Sequence, residues 1–219
     1  MRKKIFMTML IFVIIAELIQ SCSFTNKTDK VNFKQNTNKV MPEKLDTAVL
    51  GAGCFWCTEA VFERLKGVES VEAGYSGGTA VNPSYEEVCT GTTGHAEVAR
   101  IIFDPAVISY EQLLDVYWTV HDPTTLNRQG ADVGTQYRSV IFYLNDDQKQ
   151  KAEKSKTEVA PTIWDDPIVT EISPLKNFYK AEDYHQEYYD NNPNASYCQF
   201  VIHPKLQKFK KKFKDCLKE

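Results

Sequence analysis

The fold prediction starts from the stretch Gly51-Ala52-Gly53-Cys54-Phe55-Trp56-Cys57-Thr58-Glu59. The apolar run Ala48-Val49-Leu50 precedes this stretch, and residues 58–65 follow with apolar side chains at helical spacing. Apolar runs of this length are typical of buried strands, whereas the helical spacing predicts a helix with one buried face. We therefore predict that Cys54 lies where a buried strand turns into a helix.

This position favours a reactive thiol at Cys54. The first N–H groups of a helix have no internal partner and carry partial positive charge, which lowers a thiol pKa from its usual value of about 8.5. Gly51 and Gly53 give the backbone the freedom for a tight turn. A single buried cysteine is often inert, but Cys57 completes a Cys-x-x-Cys pair, which indicates redox or metal chemistry.

The composition is that of an ordinary globular protein. The chain has 219 residues, 42% of them hydrophobic, and a formal net charge of -3. One domain is therefore the expectation, with no overall bias toward nucleic acid. The four histidines are scattered without metal-ligand spacing, so we expect neither a metal nor another cofactor. Six cysteines are too few for a disulfide-built scaffold.

The N-terminus has the pattern of an export signal. Residues 2–4 are basic, and residues 5–16 are apolar apart from one threonine, which is shorter than the roughly 20 residues needed to span a bilayer. We predict a signal peptide over residues 1–21. Its end resembles a lipoprotein processing site, which would make Cys22 a lipidated residue. Ordinary signal cleavage and an uncleaved anchor are the alternatives.

Residues 22–45 have a different composition from the rest of the chain. They are rich in Ser, Thr, Asn, Lys and Gln and contain few apolar residues, so we predict a flexible tether. Together with the signal, the tether predicts an exported protein of the bacterial cell envelope that a lipid anchor holds on a membrane. Export also implies an oxidising compartment, where thiols need a dedicated reductant.

Strand and helix patterns alternate along residues 46–204, which we take as a single catalytic domain. The patterns predict strands at 47–50, 68–75, 94–103, 136–144 and 168–172, and helices at 58–65, 83–88, 109–118, 146–159 and 181–189. Ser84 is a plausible helix cap, and Ser109 with Gln112 forms a capping box. Several connections are irregular, which favours an α+β fold, a two-layer α/β sandwich with a mixed central sheet, over a doubly wound sheet.

Residues 205–219 are predicted to form a separate basic amphipathic helix. Leu206, Phe209, Phe213 and Leu217 recur at helical spacing against seven lysines. The apolar stripe can cover the domain or lie on an anionic membrane surface. Docking on the domain is favoured, because the polar face of any surface helix has this character.

Glu97 interrupts an apolar strand pattern. A carboxyl group between apolar walls has its pKa raised by desolvation and can donate a proton near neutral pH. The alternative is a solvent-facing side chain in an alternating strand, and periodicity alone favours that alternative. Cys89 is expected to be a core thiol of the helix after Ser84.

Five motifs together resemble those of the methionine sulfoxide reductase A family, over residues 46–203. In chain order they are Gly53-Cys54-Phe55-Trp56-Cys57-Thr58-Glu59, Gly74-Tyr75-Ser76-Gly77-Gly78, Asn82-Pro83-Ser84-Tyr85, Thr93-Gly94-His95-Ala96-Glu97-Val98 and Gly134-Thr135-Gln136-Tyr137-Arg138. Each motif alone is weak, but five in register are highly specific. The resemblance implies a ferredoxin-like core and a repair enzyme that returns oxidised methionine in proteins and peptides to methionine.

The resemblance also implies the roles of individual residues. Cys54 is then the nucleophile that attacks the sulfoxide sulfur, and Glu97 is the acid that protonates the sulfoxide oxygen. Tyr85 and Tyr137 are similar to the family's two phenols that hydrogen-bond this oxygen, and Asp132 matches the acidic residue that orders the polar side of the pocket.

On the other side of the pocket, Phe55 and Trp56 are expected to hold the substrate's methyl group. An apolar wall facing a hydrogen-bonding wall around a chiral sulfur selects one epimer, here the S-sulfoxide.

The same resemblance predicts how the enzyme is reset. Cys54 becomes a sulfenic acid, which a second thiol converts to a disulfide, and thioredoxin or a similar dithiol then reduces this bond. Cys198 occupies the family's usual resolving position. Cys57 is a rival for this role, because many relatives have glycine there, and Cys216 is a candidate relay thiol.

Two other functions fit parts of the sequence. A general disulfide oxidoreductase would use the Cys54 and Cys57 pair and ignore sulfoxides, but a thioredoxin-type cis-proline loop is not identifiable. A non-catalytic binding module with structural thiols would leave the match at Glu97, Tyr85 and Tyr137 unexplained.

Overall fold

The structure is a computed structural model that describes residues 45–218. The predicted signal peptide, Cys22 and all but the last residue of the predicted tether lie outside the described residues. Within residues 45–218, no helix combines the length and apolar character that crossing a bilayer requires.

A six-stranded sheet forms the centre of the domain, in the order β7-β6-β1-β3-β2-β8, and β4 and β5 form a separate hairpin. The strands are β1 Asp46–Ala52, β2 Val68–Ser76, β3 Ala96–Phe103, β4 Arg128–Gln129, β5 Asp132–Val133, β6 Ser139–Tyr143, β7 Glu171–Pro174 and β8 Tyr179–Lys180. All sheet neighbours are antiparallel except β6 and β7. The sheet is therefore mixed, as predicted.

Six α-helices complete the fold of residues 45–218: α1 Phe55–Phe62, α2 Tyr85–Cys89, α3 Tyr110–Val120, α4 Asp146–Glu158, α5 Tyr188–Asn191 and α6 His203–Lys212. Helices α1, α3 and α4 pack against the sheet. The succession β1, α1, β2, β3, α3, β6 is the β-α-β-β-α-β order of a ferredoxin-like core. The predicted α+β fold class is confirmed.

Local signals fixed the starts of several helices. Ser84 and Ser109 each cap a helix with a complete capping box, the partners being Glu87 and Gln112. Asn145 caps α4 by accepting a hydrogen bond from the N–H of Gln148. A side-chain oxygen at these positions satisfies an N–H group that has no partner within the helix.

Three predicted elements differ from the structure. The strand predicted at 136–144 begins only at Ser139, because Thr135–Tyr137 form a 3₁₀ turn. The strand predicted at 168–172 starts later in the chain, as β7 at Glu171–Pro174. The helix predicted at 181–189 is divided into the 3₁₀ turn Asp183–His185 and the short α5, because Glu187 has a φ of 50°, in the left-handed region that ends a helix.

The C-terminal segment docks on the domain. A π-helix, Cys198–Ile202, runs directly into α6, so the predicted boundary at residue 204 falls inside a continuous helical segment. Leu206, Phe209 and Phe213 are buried. The helix ends at Lys212 rather than continuing to residue 219.

Candidate active site

A cavity of about 170 Å³ lies where β1 meets α1. Its lining contains Cys54, Phe55, Trp56, Tyr85, Glu97, Asp132, Tyr137 and Tyr197. The first seven are the residues to which the sequence assigned substrate chemistry, and they come from five separate segments of the chain. The cavity is large enough for a small side-chain group but not for a large cofactor.

Cys54 lies at the junction that the sequence predicted. Strand β1 ends at Ala52, and α1 begins at Phe55 with Cys54 as its N-cap residue. Gly53 has a φ of 88°, and a Cβ atom there would lie 2.5 Å from the Gln129 side chain. Glycine is therefore required at this turn for both its backbone angle and its lack of a side chain.

Glu97 is buried, with 1% of its surface exposed, so the solvent-facing interpretation from periodicity is wrong. It lies on the interior strand β3, and its Oε2 accepts a hydrogen bond of 3.0 Å from the N–H of Phe55. Burial raises the pKa of Glu97 to about 8, the negative charges of Asp132 and Cys57 add to this, and the Phe55 hydrogen bond opposes it. At neutral pH this side chain therefore holds a proton that it can donate.

Cys57 lies in the first turn of α1, three residues after the N-cap Cys54, and its N–H donates to the Cys54 carbonyl at 3.1 Å. Burial raises the pKa of Cys54, contrary to the expectation from the helix terminus. Desolvation outweighs the partial charges of the helix here, and Glu97 already accepts the first N–H of α1. The pKa of Cys57 is lowered to about 6, because Cys54 donates to its sulfur and the Lys205 ammonium adds positive charge. The two shifts therefore favour deprotonation of Cys57 over deprotonation of Cys54.

Two phenols form part of the polar wall. Burial raises the pKa values of Tyr85 and Tyr137, so both keep their protons and act as hydrogen-bond donors. Glu182 fixes the start of the helix that carries Tyr85, because its carboxylate accepts from the Tyr85 N–H at 2.9 Å and from the Tyr75 hydroxyl at 2.8 Å.

Tyr197 is a third phenol that the sequence analysis did not single out. Its hydroxyl donates a 2.7 Å hydrogen bond to Oδ2 of Asp132 and lies 4.0 Å from the Cys57 sulfur. The only sequence signal was its place beside Cys198. Tyr197 thus connects the carboxylate predicted to order the pocket with the second thiol.

The apolar wall also has members that the sequence did not reveal. The Trp56 indole N–H donates to Nδ1 of His185 at 3.1 Å. The Trp56 ring stacks on Tyr188, with centroids 3.6 Å apart and planes 7° from parallel. No motif marked His185 or Tyr188, and the left-handed turn at Glu187 that separates them is visible only in the fold.

Comparison with known proteins identifies the arrangement. The model of the peptide methionine sulfoxide reductase family matches residues 46–217. The chain belongs to the peptide methionine sulfoxide reductase family. Reduction of methionine sulfoxide is the chemistry of this family, and the cavity presents the Cys54 thiol, a protonated carboxyl group and phenol donors.

Relatives and solved structures agree with this assignment. The peptide methionine sulfoxide reductase MsrA of Saccharolobus solfataricus is 55% identical over 80% of this chain and 98% of its own length. The MsrA of Acinetobacter baumannii strain SDF is also 55% identical, over 80% of this chain and 99% of its own.

Two solved structures resemble the fold. Reduced Mxr1 of Saccharomyces cerevisiae has a TM-score of 0.66 and 38% identity, over 76% of this chain and 96% of its own. Methionine sulfoxide reductase A of Corynebacterium diphtheriae has a TM-score of 0.63 and 34% identity, over 71% and 80%.

The remaining thiols of this methionine sulfoxide reductase lie outside the cavity lining. Cys198 is fully buried in the π-helix that packs against α1. Burial raises the pKa of Cys198, and the negative charge of Cys57 raises it further. Cys216 lies past the opposite end of α1, where its carbonyl accepts from the N–H of Lys66 at 2.8 Å. Cys89 is exposed, so the prediction of a core thiol was wrong. Between residues 45 and 218, no three His, Cys, Asp or Glu side chains are grouped to hold a metal ion.

Proposed function

We propose that this methionine sulfoxide reductase acts on the S epimer of methionine sulfoxide in proteins and peptides, with Cys54 as the nucleophile. The observation that carries the proposal is the buried Glu97 with a pKa of about 8 in the same small cavity as Cys54. An oxygen leaves sulfur only if it gains a proton, and this carboxyl group holds one at neutral pH.

In the first step, Cys54 passes its proton to the Cys57 thiolate and its sulfur attacks the sulfoxide sulfur. Glu97 protonates the sulfoxide oxygen, and the sulfur–oxygen bond breaks. The oxygen moves to the Cys54 sulfur: a Cys54 S–O bond forms as the substrate's S–O bond and the sulfur–sulfur bond made by the attack break, which leaves Cys54 as a sulfenic acid and releases methionine. Tyr85 and Tyr137 donate hydrogen bonds to the oxygen as its negative charge grows, which stabilises the transition state.

The two walls of the cavity account for the choice of epimer. Phe55 and Trp56 offer an apolar surface for the S-methyl group, whereas the phenols and Glu97 hold the oxygen on the opposite side. Trp56 has little freedom to adapt, because His185 and Tyr188 fix its ring. Inverting the chiral sulfur exchanges oxygen and methyl, which places the oxygen against the apolar wall.

We also propose that Cys57, rather than Cys198, resolves the sulfenic acid. The position of Cys57 in the first turn of α1 supports this, because its N–H donates to the Cys54 carbonyl at 3.1 Å and resolution needs a second sulfur close to the first. Cys57 attacks the Cys54 sulfur, water leaves, and a Cys54–Cys57 disulfide remains. Cys198 then serves as a relay thiol, and Cys216 takes no part, because the length of α1, about 12 Å, separates its end of the helix from Cys54.

A single turnover without reductant tests the resolving step. After the reduced enzyme meets a methionine S-sulfoxide peptide, we expect mass mapping to find the Cys54–Cys57 disulfide. Cys57→Ser should leave Cys54 as sulfenic acid for longer, whereas the matched Cys198→Ser should still form the disulfide. A Cys54–Cys198 bond as the first product in the native enzyme would return the resolving role to Cys198.

Reset of the enzyme needs two electrons and two protons from a dithiol. Thioredoxin or a thioredoxin-like protein fits this need, because its thiolate attacks a disulfide and its second thiol releases the mixed disulfide.

The sequence of the N-terminus supports export and a lipid anchor. We propose that residues 1–21 are removed and that Cys22 carries the lipid, so that the enzyme repairs proteins of the cell envelope. The expected mass of the mature protein is that of residues 22–219 plus the lipid. Cys22→Ala should lack the lipid mass, and a native protein that begins elsewhere would contradict the processing site.

A further inference from the structure

The C-terminal segment carries a concentration of positive charge that the chemistry of the active site does not use. Residues 205–219 contain seven lysines but only two acidic residues, Asp215 and Glu219, in a chain whose net charge is -3. The apolar side chains of the segment are buried against the domain, so they do not compete for a partner. The charge therefore points outward.

Four lysines form what we call the basic face: Lys208, Lys210, Lys211 and Lys214. All four are exposed, and among residues 45–218 none has a carboxylate oxygen within 4.0 Å. Lys212 is different, because its ammonium donates to Thr119 and its charge opposes the rise that burial gives the pKa of Asp115.

Helix α4 shows that lysines on this domain are not generally unpaired. Lys149, Lys151 and Lys154 each lie within 4.0 Å of a carboxylate, on Glu153, Asp147 and Glu111, and Glu158 respectively. The surface of α4 is therefore close to neutral. The basic face is therefore a cluster of positive charge without neighbouring carboxylates, and the lysines of α4, which have such neighbours, serve as the control.

The last residues of the C-terminal segment lie at the end of the domain where β1 begins. The carbonyl of Cys216 accepts from the N–H of Lys66, next to the start of β2 at Val68. Val68 pairs with Phe103, and Phe103 pairs with Asp46, the first residue of β1. Two strand spacings, about 10 Å, therefore separate the C-terminal segment from the entry point.

The active site lies at the other end of β1. The seven residues of this strand lead from Asp46 to the turn before Cys54, a distance of about 20 Å at the usual rise per residue. A surface that contacts the entry end thus leaves the cavity open on the far side.

We propose that the basic face docks on an anionic phospholipid bilayer and turns the active site away from the membrane. Clustered lysines bind acidic headgroups through summed electrostatic attraction. The proposal does not depend on the reductase chemistry. It agrees with the sequence, in which 22 mostly polar residues separate Cys22 from Leu45.

Lysine acetylation of the full chain, read by mass spectrometry, tests the surface directly. With vesicles of phosphatidylcholine and phosphatidylglycerol, we expect acetylation at the basic face to slow about five-fold or more. Vesicles of phosphatidylcholine alone should give no slowing, and the α4 lysines should react equally in both. Unchanged labelling of the basic face on anionic vesicles would overturn the proposal, and so would protection by duplex DNA without protection by vesicles.

Matched triple variants supply the second measurement. Lys208→Gln with Lys211→Gln and Lys214→Gln should weaken the salt-dependent part of vesicle binding about 100-fold. Lys149→Gln with Lys151→Gln and Lys154→Gln removes the same charge, and we expect a far smaller loss. Both variants should retain turnover of a soluble sulfoxide peptide. Equal binding by the two variants would show that net charge, and not this face, attracts the bilayer.

Discussion

The Cys54→Ser variant is expected to lose sulfoxide reduction, with a single-turnover rate lower by a factor on the order of 10⁴ or more. A serine hydroxyl at the N-cap position keeps the size of the thiol. It is a much weaker nucleophile toward sulfur, and no other thiol lines the cavity. The measurement is methionine formed from a methionine S-sulfoxide peptide per enzyme molecule, in one turnover and with excess dithiol.

A matched variant separates the role of Cys54 from a general effect of removing a thiol. Cys216→Ser changes a buried thiol at the opposite end of α1, and its first-turnover rate should equal that of the native enzyme. Substantial methionine formation by Cys54→Ser would refute the assignment of the nucleophile and move attention to Cys57.

The Glu97→Gln variant should slow the chemical step at pH 7 by about 10²- to 10³-fold, because a general acid contributes on that scale. In the native enzyme the pKa of Glu97 is about 8, so the proton is present at neutral pH and lost above it. The native rate should therefore fall as the pH rises through about 8. The variant should lack this fall at pH 8, and its rate should increase toward acidic pH, where solvent supplies the proton.

Glu59→Gln is the control for Glu97→Gln. Glu59 is also buried, and burial raises its pKa to about 7, but it does not line the cavity. Its replacement should leave the pH dependence of the chemical step unchanged. If Glu97→Gln kept the native profile through pH 8, Glu97 would not be the acid.

Stability provides a separate reading of the same carboxyl group. The unfolded chain loses the Glu97 proton near pH 4.5, whereas the folded protein keeps it to about pH 8. The native protein therefore binds more protons than the unfolded chain across this window, so its free energy of unfolding declines as the pH rises. Glutamine does not ionise, so its burial adds no pH-dependent loss of stability. The variant should therefore gain stability relative to the native protein as the pH rises from 4.5 to 8. Lost activity with raised stability excludes misfolding as the cause.

Local patterns predicted much of the fold. The capping boxes at Ser84 and Ser109 gave correct helix starts, because the side chain and the N–H group that it binds lie within three residues. The apolar runs predicted β1 and β3, because the pattern of a buried strand is also contained in a few consecutive residues. The sequence did not predict the division of the helix at 181–189. The residue with left-handed backbone angles there is Glu187, whereas glycine and asparagine are the residues that normally indicate such a position.

The candidate site was predictable where a motif contained its chemistry. Cys54 follows from its place between a strand and a helix, and the resemblance of five motifs indicated the phenols, Asp132 and Glu97. Tyr197, His185 and Tyr188 come from the C-terminal part of the chain, where no such motif was read. They reach the cavity only because α5 and the π-helix pack on α1.

The sequence by itself determined the family and the α+β fold class and predicted Cys54 as the reactive thiol, because these depend on residue types at short and fixed spacing. Only the tertiary structure decided which thiol lies beside Cys54, whether the Glu97 carboxyl group is exposed to solvent, and which surface the lysines of α6 occupy. The pKa of a side chain depends on its burial, and the distance between two thiols depends on how segments far apart in the chain pack together. Such quantities exist only after the sheet has formed and the helices have packed on it.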